Sequence, residues 1–178
     1  MKNKQLQRLL IVSIILTLIT SFSPINYPKV PDSPVRLFYI QRSANINTIV
    51  YDANLLPNGD FDKENPISVY WIRYQEQGQK KELTWIQNFL AYGISAKETT
   101  RENDFDAWVV SYKKKKLKVG FDKHKKPCAQ LEINHKLARL DHVFVKTEGS
   151  NLRPKVLYVE VFGKDMTTGE DIYEKIKP

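Results

Sequence analysis

One cysteine, Cys128, in a chain of 178 residues excludes an intrachain disulfide, so stability must come from packing. The lone thiol reads as a small, partly buried side chain. Histidine is almost as scarce: His124, His135 and His142 are the only three, and none has compact metal-ligand spacing. Asp141 beside His142 suggests an acid–base pair, but neighbours on a strand point to opposite faces and should not touch. No G-x-S-x-G string puts a nucleophile on a sharp turn. Internal repeats and nucleic-acid recognition motifs are also missing. The sequence therefore names no catalytic residue, no metal and no cofactor.

What is present begins with the N-terminus. Lys2, Lys4 and Arg8 precede an uncharged run from Leu9 to Ile19, closed by Thr20, Ser21 and Ser23. That is the layout of a secretory signal, and the run is short of the ~20 residues that span a bilayer. Residues 1–23 are expected to act as a signal peptide, cut after Ser21 or Ser23, or to stay as an N-terminal anchor. Pro24 disfavours the second cut, and no cysteine follows the run to carry a lipid. The expected location is outside the inner membrane: periplasm, cell envelope or medium. Residues 24–34 hold four prolines and should form an extended spacer. One β-rich domain is expected over residues 35–178, a length that suits a single core.

Within that domain most signals are those of strands. Leu37–Ile40 and Thr48–Tyr51 flank a turn-forming Asn45-Ile46-Asn47 and read as a hairpin. Ser68–Tyr74 is β-branched and aromatic. Phe105–Tyr112, Leu117–Phe121, Ala129–Ile133, Leu137–Thr147 and Lys155–Lys164 follow, several alternating apolar with polar. Asp171–Ile176 fits a strand or a helical turn. Glu82–Tyr92 alone has helical spacing, with Leu83, Ile86 and Leu90 on a face widened by Trp85 and Phe89, and Gly93 at the expected stop. The fold class is mainly β (α+β): an antiparallel meander of about eight or nine strands, curled or closed into a barrel, with this one amphipathic helix packed deep upon it.

The strings Leu37-Phe38-Tyr39-Ile40-Gln41-Arg42-Ser43, Val50-Tyr51-Asp52, Val69-Tyr70-Trp71-Ile72 and Ala91-Tyr92-Gly93 resemble the domain-of-unknown-function 4833 family, from about Leu37 to Val161. The resemblance implies an exported or envelope-associated bacterial protein and no assigned catalytic residue.

Three constellations could carry chemistry. Asn58–Asn65 alternates oxygen side chains like a Ca²⁺ loop, but its glycine and acidic positions do not fit, and it reads as a turn. Arg42, Asn45, Asn47, Asp52, Tyr70 and Arg73 cluster on the first hairpin and third strand, beside Tyr39, Tyr51 and Trp71. They form either a ligand pocket, with Arg42 gripping a carboxylate or phosphate, or a structural network such as Arg73 paired with Asp52. Finally, Lys113, Lys114, Lys115, Lys116, Lys118, Lys123, Lys125 and Lys126 face only Asp122 within fourteen residues. They form a solubilising surface, or a site for anionic lipid head groups or envelope polyanions. Net charge is +8, but export argues against nucleic acid. The expected function is a non-catalytic, exported binding domain; the alternative is an enzyme acting on a cell-envelope substrate.

Overall fold

The computed structural model describes residues 27–150 and 153–178; the expected signal segment lies outside them. Eleven strands form one curled sheet: β1 (Arg36–Arg42), β2 (Asn45–Ala53), β3 (Ile67–Arg73), β4 (Gln79–Glu82), β5 (Ile94–Glu98), β6 (Phe105–Val109), β7 (Leu117–Phe121), β8 (Pro127–Ile133), β9 (Lys136–Ser150), β10 (Arg153–Asp165) and β11 (Asp171–Ile176). The mainly β, curled architecture is as the sequence implies. The strand count is higher than expected because β4 and β5 give weak signals. β4 reads Gln-Lys-Lys-Glu, wholly exposed, a charged edge strand that discourages further pairing.

Two antiparallel wings, β1–β4 and β5–β8, meet on β9. β8 pairs with its first residues, Lys136–Arg139. β1 pairs with His142–Val145, and does so in parallel, the one exception to the expected meander. β10 covers the other edge of β9, followed by β11. The wings curl towards each other, and Phe38, Ile49, Tyr51, Phe105, Val119, Ala129 and Ile133 fill the space between, each at most 1% exposed. Phe38 stacks on Tyr51 with ring centroids 4.2 Å apart. Phe61 from the β2–β3 connection packs on Phe105 and Phe121 and is fully buried. The two-residue β8–β9 turn takes positive φ at Asn134 and His135, as a twisted hairpin requires.

Pro28 and Pro31 lie in irregular chain without internal strand or helix, and Pro34 sits in a turn closed by the Arg36 N–H on the Ser33 carbonyl. This segment is not a free spacer: Val30 is buried against Val50, Tyr70 and Ile72 on the outer face. Tyr27 donates to the Arg42 carbonyl at 2.9 Å, which ties Tyr27 to the C-terminal end of β1.

The helix differs from expectation. It is one α-turn, α1 (Trp85–Gln87), continued by a π-turn, Asn88–Tyr92. Trp85 is 74% exposed and Phe89 64%, so the aromatic face looks outward and not into the core. The reason is polar: Gln87 Oε1 accepts from the Thr84 N–H and from Trp71 Nε1, tying the hydrophilic side of the turn to the barrel. Gly93 has φ −58° and is no left-handed cap. Glycine is needed because a Cβ would collide with the Asn88 carbonyl.

Candidate ligand cavity

Alternation on five strands turns one aliphatic side chain after another to the concave face. Phe38 and Ile40 of β1, Leu131 of β8, Leu140, Val143 and Val145 of β9, Val159 and Val161 of β10 and Ile176 of β11 line a cavity of about 330 Å³. Tyr112 and Lys115, from the loop joining β6 to β7, bring polar atoms to its mouth. Phe61 and the rings it packs on, Phe105 and Phe121, are not part of this lining. The sequence analysis did not single out this cavity. Its only signal was the repeated alternation of valine, isoleucine and leucine on β9 and β10, which also describes a filled core.

Part of the anticipated polar group lies at one rim of the half-barrel, beside the cavity lining but not in it. Arg42, the last residue of β1, pairs with Val145 of that lining. Its guanidinium lies 5.0 Å from the centre of the Trp71 ring and 5.2 Å from that of Tyr92. Its hydrogen-bond partners are the Tyr92 hydroxyl and, at 3.4 Å, the Asn45 amide oxygen, both neutral. Its Nε is buried and, among the described residues, has no partner. A cation beside two aromatic rings and without a carboxylate suits an incoming anion. Tyr51, fully buried, donates to the Tyr92 carbonyl at 2.7 Å and fixes that residue; burial pushes its phenol well above the usual value.

The other anticipated residues are dispersed. Asp52 and Tyr70 sit on the outer face, where Asp52 accepts from Arg36 at 2.5 Å and from Tyr70 at 2.7 Å. Burial, then the bond to Asp52, pushes the Tyr70 phenol up to about 12. The expected Arg73–Asp52 pair does not form: Arg73 binds Glu76, three residues on, and Arg36 takes its place because β1 lies beside β2. Asn47 exchanges hydrogen bonds with Gln75, giving its Nδ2–H to Oε1 and receiving the backbone N–H. Asn47, Asp52, Tyr70 and Arg73 thus hold loops and strands, while Arg42 and Asn45 share the rim.

Asp141 and His142 do touch, at 2.7 Å, contrary to expectation. His142 lies flat between Tyr39 and Phe162, centroids 5.1 and 4.3 Å away, and Asp141 reaches around the strand to its Nδ1. The hydrogen bond to His142 holds the Asp141 carboxyl below its usual value. The pair stands on the convex face, away from the cavity. Burial raises the Cys128 thiol, which keeps it protonated and unreactive. In the Asn58–Asn65 loop, Asn58 Oδ1 accepts from the Asp60 N–H and Asp62 Oδ1 from those of Glu64 and Asn65, so these oxygens serve the turn.

The lysines divide between two ends. Lys113–Lys116 stand at the open rim. Lys123, Lys125 and Lys126 occupy the β7–β8 turn, which Asp122 organises by accepting the N–H groups of His124 and Lys126; Lys118 is exposed on β7. Lys115 pairs with Glu174 at 3.2 Å and Lys116 with Asp106 at 2.8 Å. Lys113 and Lys114 are exposed.

A curled β half-barrel with an apolar interior open at one rim is the class that fold and cavity define. The family model described as Domain of unknown function (DUF4833) matches residues 38–175, and the chain belongs to that family. No curated protein and no solved structure matches the chain.

Proposed function

We propose that this protein is an exported, non-catalytic binding domain that takes a small apolar or amphiphilic molecule into the half-barrel. One observation carries the reading: a cavity of about 330 Å³ walled almost wholly by aliphatic side chains. Its volume lies at the low end of the ~300–1,000 Å³ of small-molecule sites. Such a wall offers too few hydrogen-bond partners to replace the hydration of a sugar or nucleotide, and it favours an acyl chain or similar group. Arg42, at the rim with neutral partners only, suits a carboxylate or phosphate head. The basic residues before the run Leu9–Ile19 support export.

An enzyme acting on an envelope substrate is the second reading, favoured by the Asp141–His142 contact. Tyr39 and Phe162 cover both faces of that imidazole, and the pair lies on the wrong side of the sheet to reach the cavity.

The test is fluorescence titration of the full chain with a dansylated fatty acid. Saturable, blue-shifted emission that unlabelled fatty acid reverses is the expected result. Val145→Phe should fill the cavity and abolish the signal, with a thermal melt showing that the variant folds. Arg42→Gln should weaken binding about tenfold or more, the loss of one charge-assisted hydrogen bond. Undiminished probe binding by folded Val145→Phe would overturn the proposal.

A further inference from the structure

We infer that the open rim is a membrane seat, in which Trp85, Ile86, Phe89 and Leu90 enter the interface of an anionic bilayer while Lys113 and Lys114 meet its phosphates. The inference stands whether or not the cavity takes a ligand.

Four large apolar side chains between 60% and 74% exposed on eight consecutive residues are unusual for a soluble surface. Their exposure is built in. Thr84 and Gln87 form a reciprocal capping box, and Gln87 is also bonded to Trp71 in the barrel wall, so the polar side of the turn is anchored inward and the apolar side must face out. Trp85 and Phe89 are already stacked, centroids 5.4 Å apart and planes 4° from parallel, so little side-chain freedom remains to be lost on insertion.

Two further features of the same rim select a bilayer over a protein partner. The Val110 N–H binds the Gly93 carbonyl at 2.9 Å, which joins the end of the aromatic turn to the segment leading into Lys113 and Lys114. Aromatic rings at the interface with lysines beside them match the layering of an anionic bilayer surface. Tyr27 is also tied here, through the Tyr27–Arg42 hydrogen bond, and the charge-free run Leu9–Ile19 precedes Tyr27 in sequence. An anchor or a nascent signal would bring this rim to a membrane first.

The experiment is quenching of tryptophan emission in the full chain by phosphatidylglycerol vesicles with brominated acyl chains. In a Trp108→Phe background, which leaves Trp85 and the buried Trp71, emission is expected to be quenched, and adding Trp85→Phe to remove that quenching. Lys113→Ser with Lys114→Ser should lower the quenched fraction about twofold or more, to the level seen with neutral phosphatidylcholine, each lysine near an anionic surface being a substantial term. Quenching that persists once Trp85→Phe is added would overturn the insertion. Equal quenching by neutral and anionic vesicles would overturn the role of the lysines. Absent quenching, with self-association that Trp85→Phe abolishes, would reassign the patch to a second copy of the chain.

Discussion

Tyr70 and Asp52 attracted notice as polar residues on neighbouring strands, and they are partners, yet they serve the fold. Sequence identifies a polar side chain without its bonding neighbours: Arg36 satisfies Asp52 and Glu76 satisfies Arg73. A measurable consequence lies at alkaline pH. The folded state raises the Tyr70 phenol from 10.0 to about 12, so the folded chain holds this proton more tightly than the unfolded chain. The associated stability is complete below 10.0 and is lost as pH rises towards about 12. Urea midpoints through that window should fall for wild type, and less for Tyr70→Phe. An equal fall in both would remove Tyr70 from the account. Asp141 and His142 give the opposite lesson: strand geometry separates the two Cβ atoms, but a flexible carboxylate reached the imidazole edge because the aromatic rings had fixed that ring in place.

At the scale of the element, the segment Glu82–Tyr92 was legible in period and misleading in direction. Helical spacing specifies which residues share a face; it does not say whether that face meets the core, and here the capping side chains turn it outward. Trp85→Ala should therefore cost less than ~1 kcal/mol in a urea melt, the scale of an ordinary surface change, where a buried ring would cost ~3–5 kcal/mol. Gly93→Ala should cost more than Trp85→Ala, ~1–3 kcal/mol, because the added methyl meets the Asn88 backbone and the π-turn must shift. The reverse order would mean the turn is pliable. The first hairpin was legible because its pairing is local, as β1–β2 shows. β4 escaped because an exposed edge strand has no buried face to impose alternation.

For the whole molecule, curvature was legible from many short strands, but the closure was not. β1 meets β9 across about a hundred residues of chain, and Ser43 Oγ accepts the Thr147 N–H at 2.9 Å; no local pattern announces a parallel pairing of that range. Such distant contacts slow folding and bind the two wings into one unit. Trp71 reports on the first wing and Trp108 on the second, so chains that carry Trp85→Phe and keep only one of the two should unfold at the same urea midpoint. Separate midpoints would make the wings independent domains. The cavity was hidden for a related reason: alternation sorts side chains to a face and does not say whether facing side chains meet or leave a gap.

Phe61, Phe105 and Phe121 pack on one another outside the cavity lining, and the aliphatic walls and the polar mouth at Tyr112 and Lys115 are separate sets of residues. Traffic is then governed by the doorway while occupancy is governed by the walls. A change at the doorway that touches no occupant speeds or slows arrival and departure in equal ratio and leaves Kd where it was.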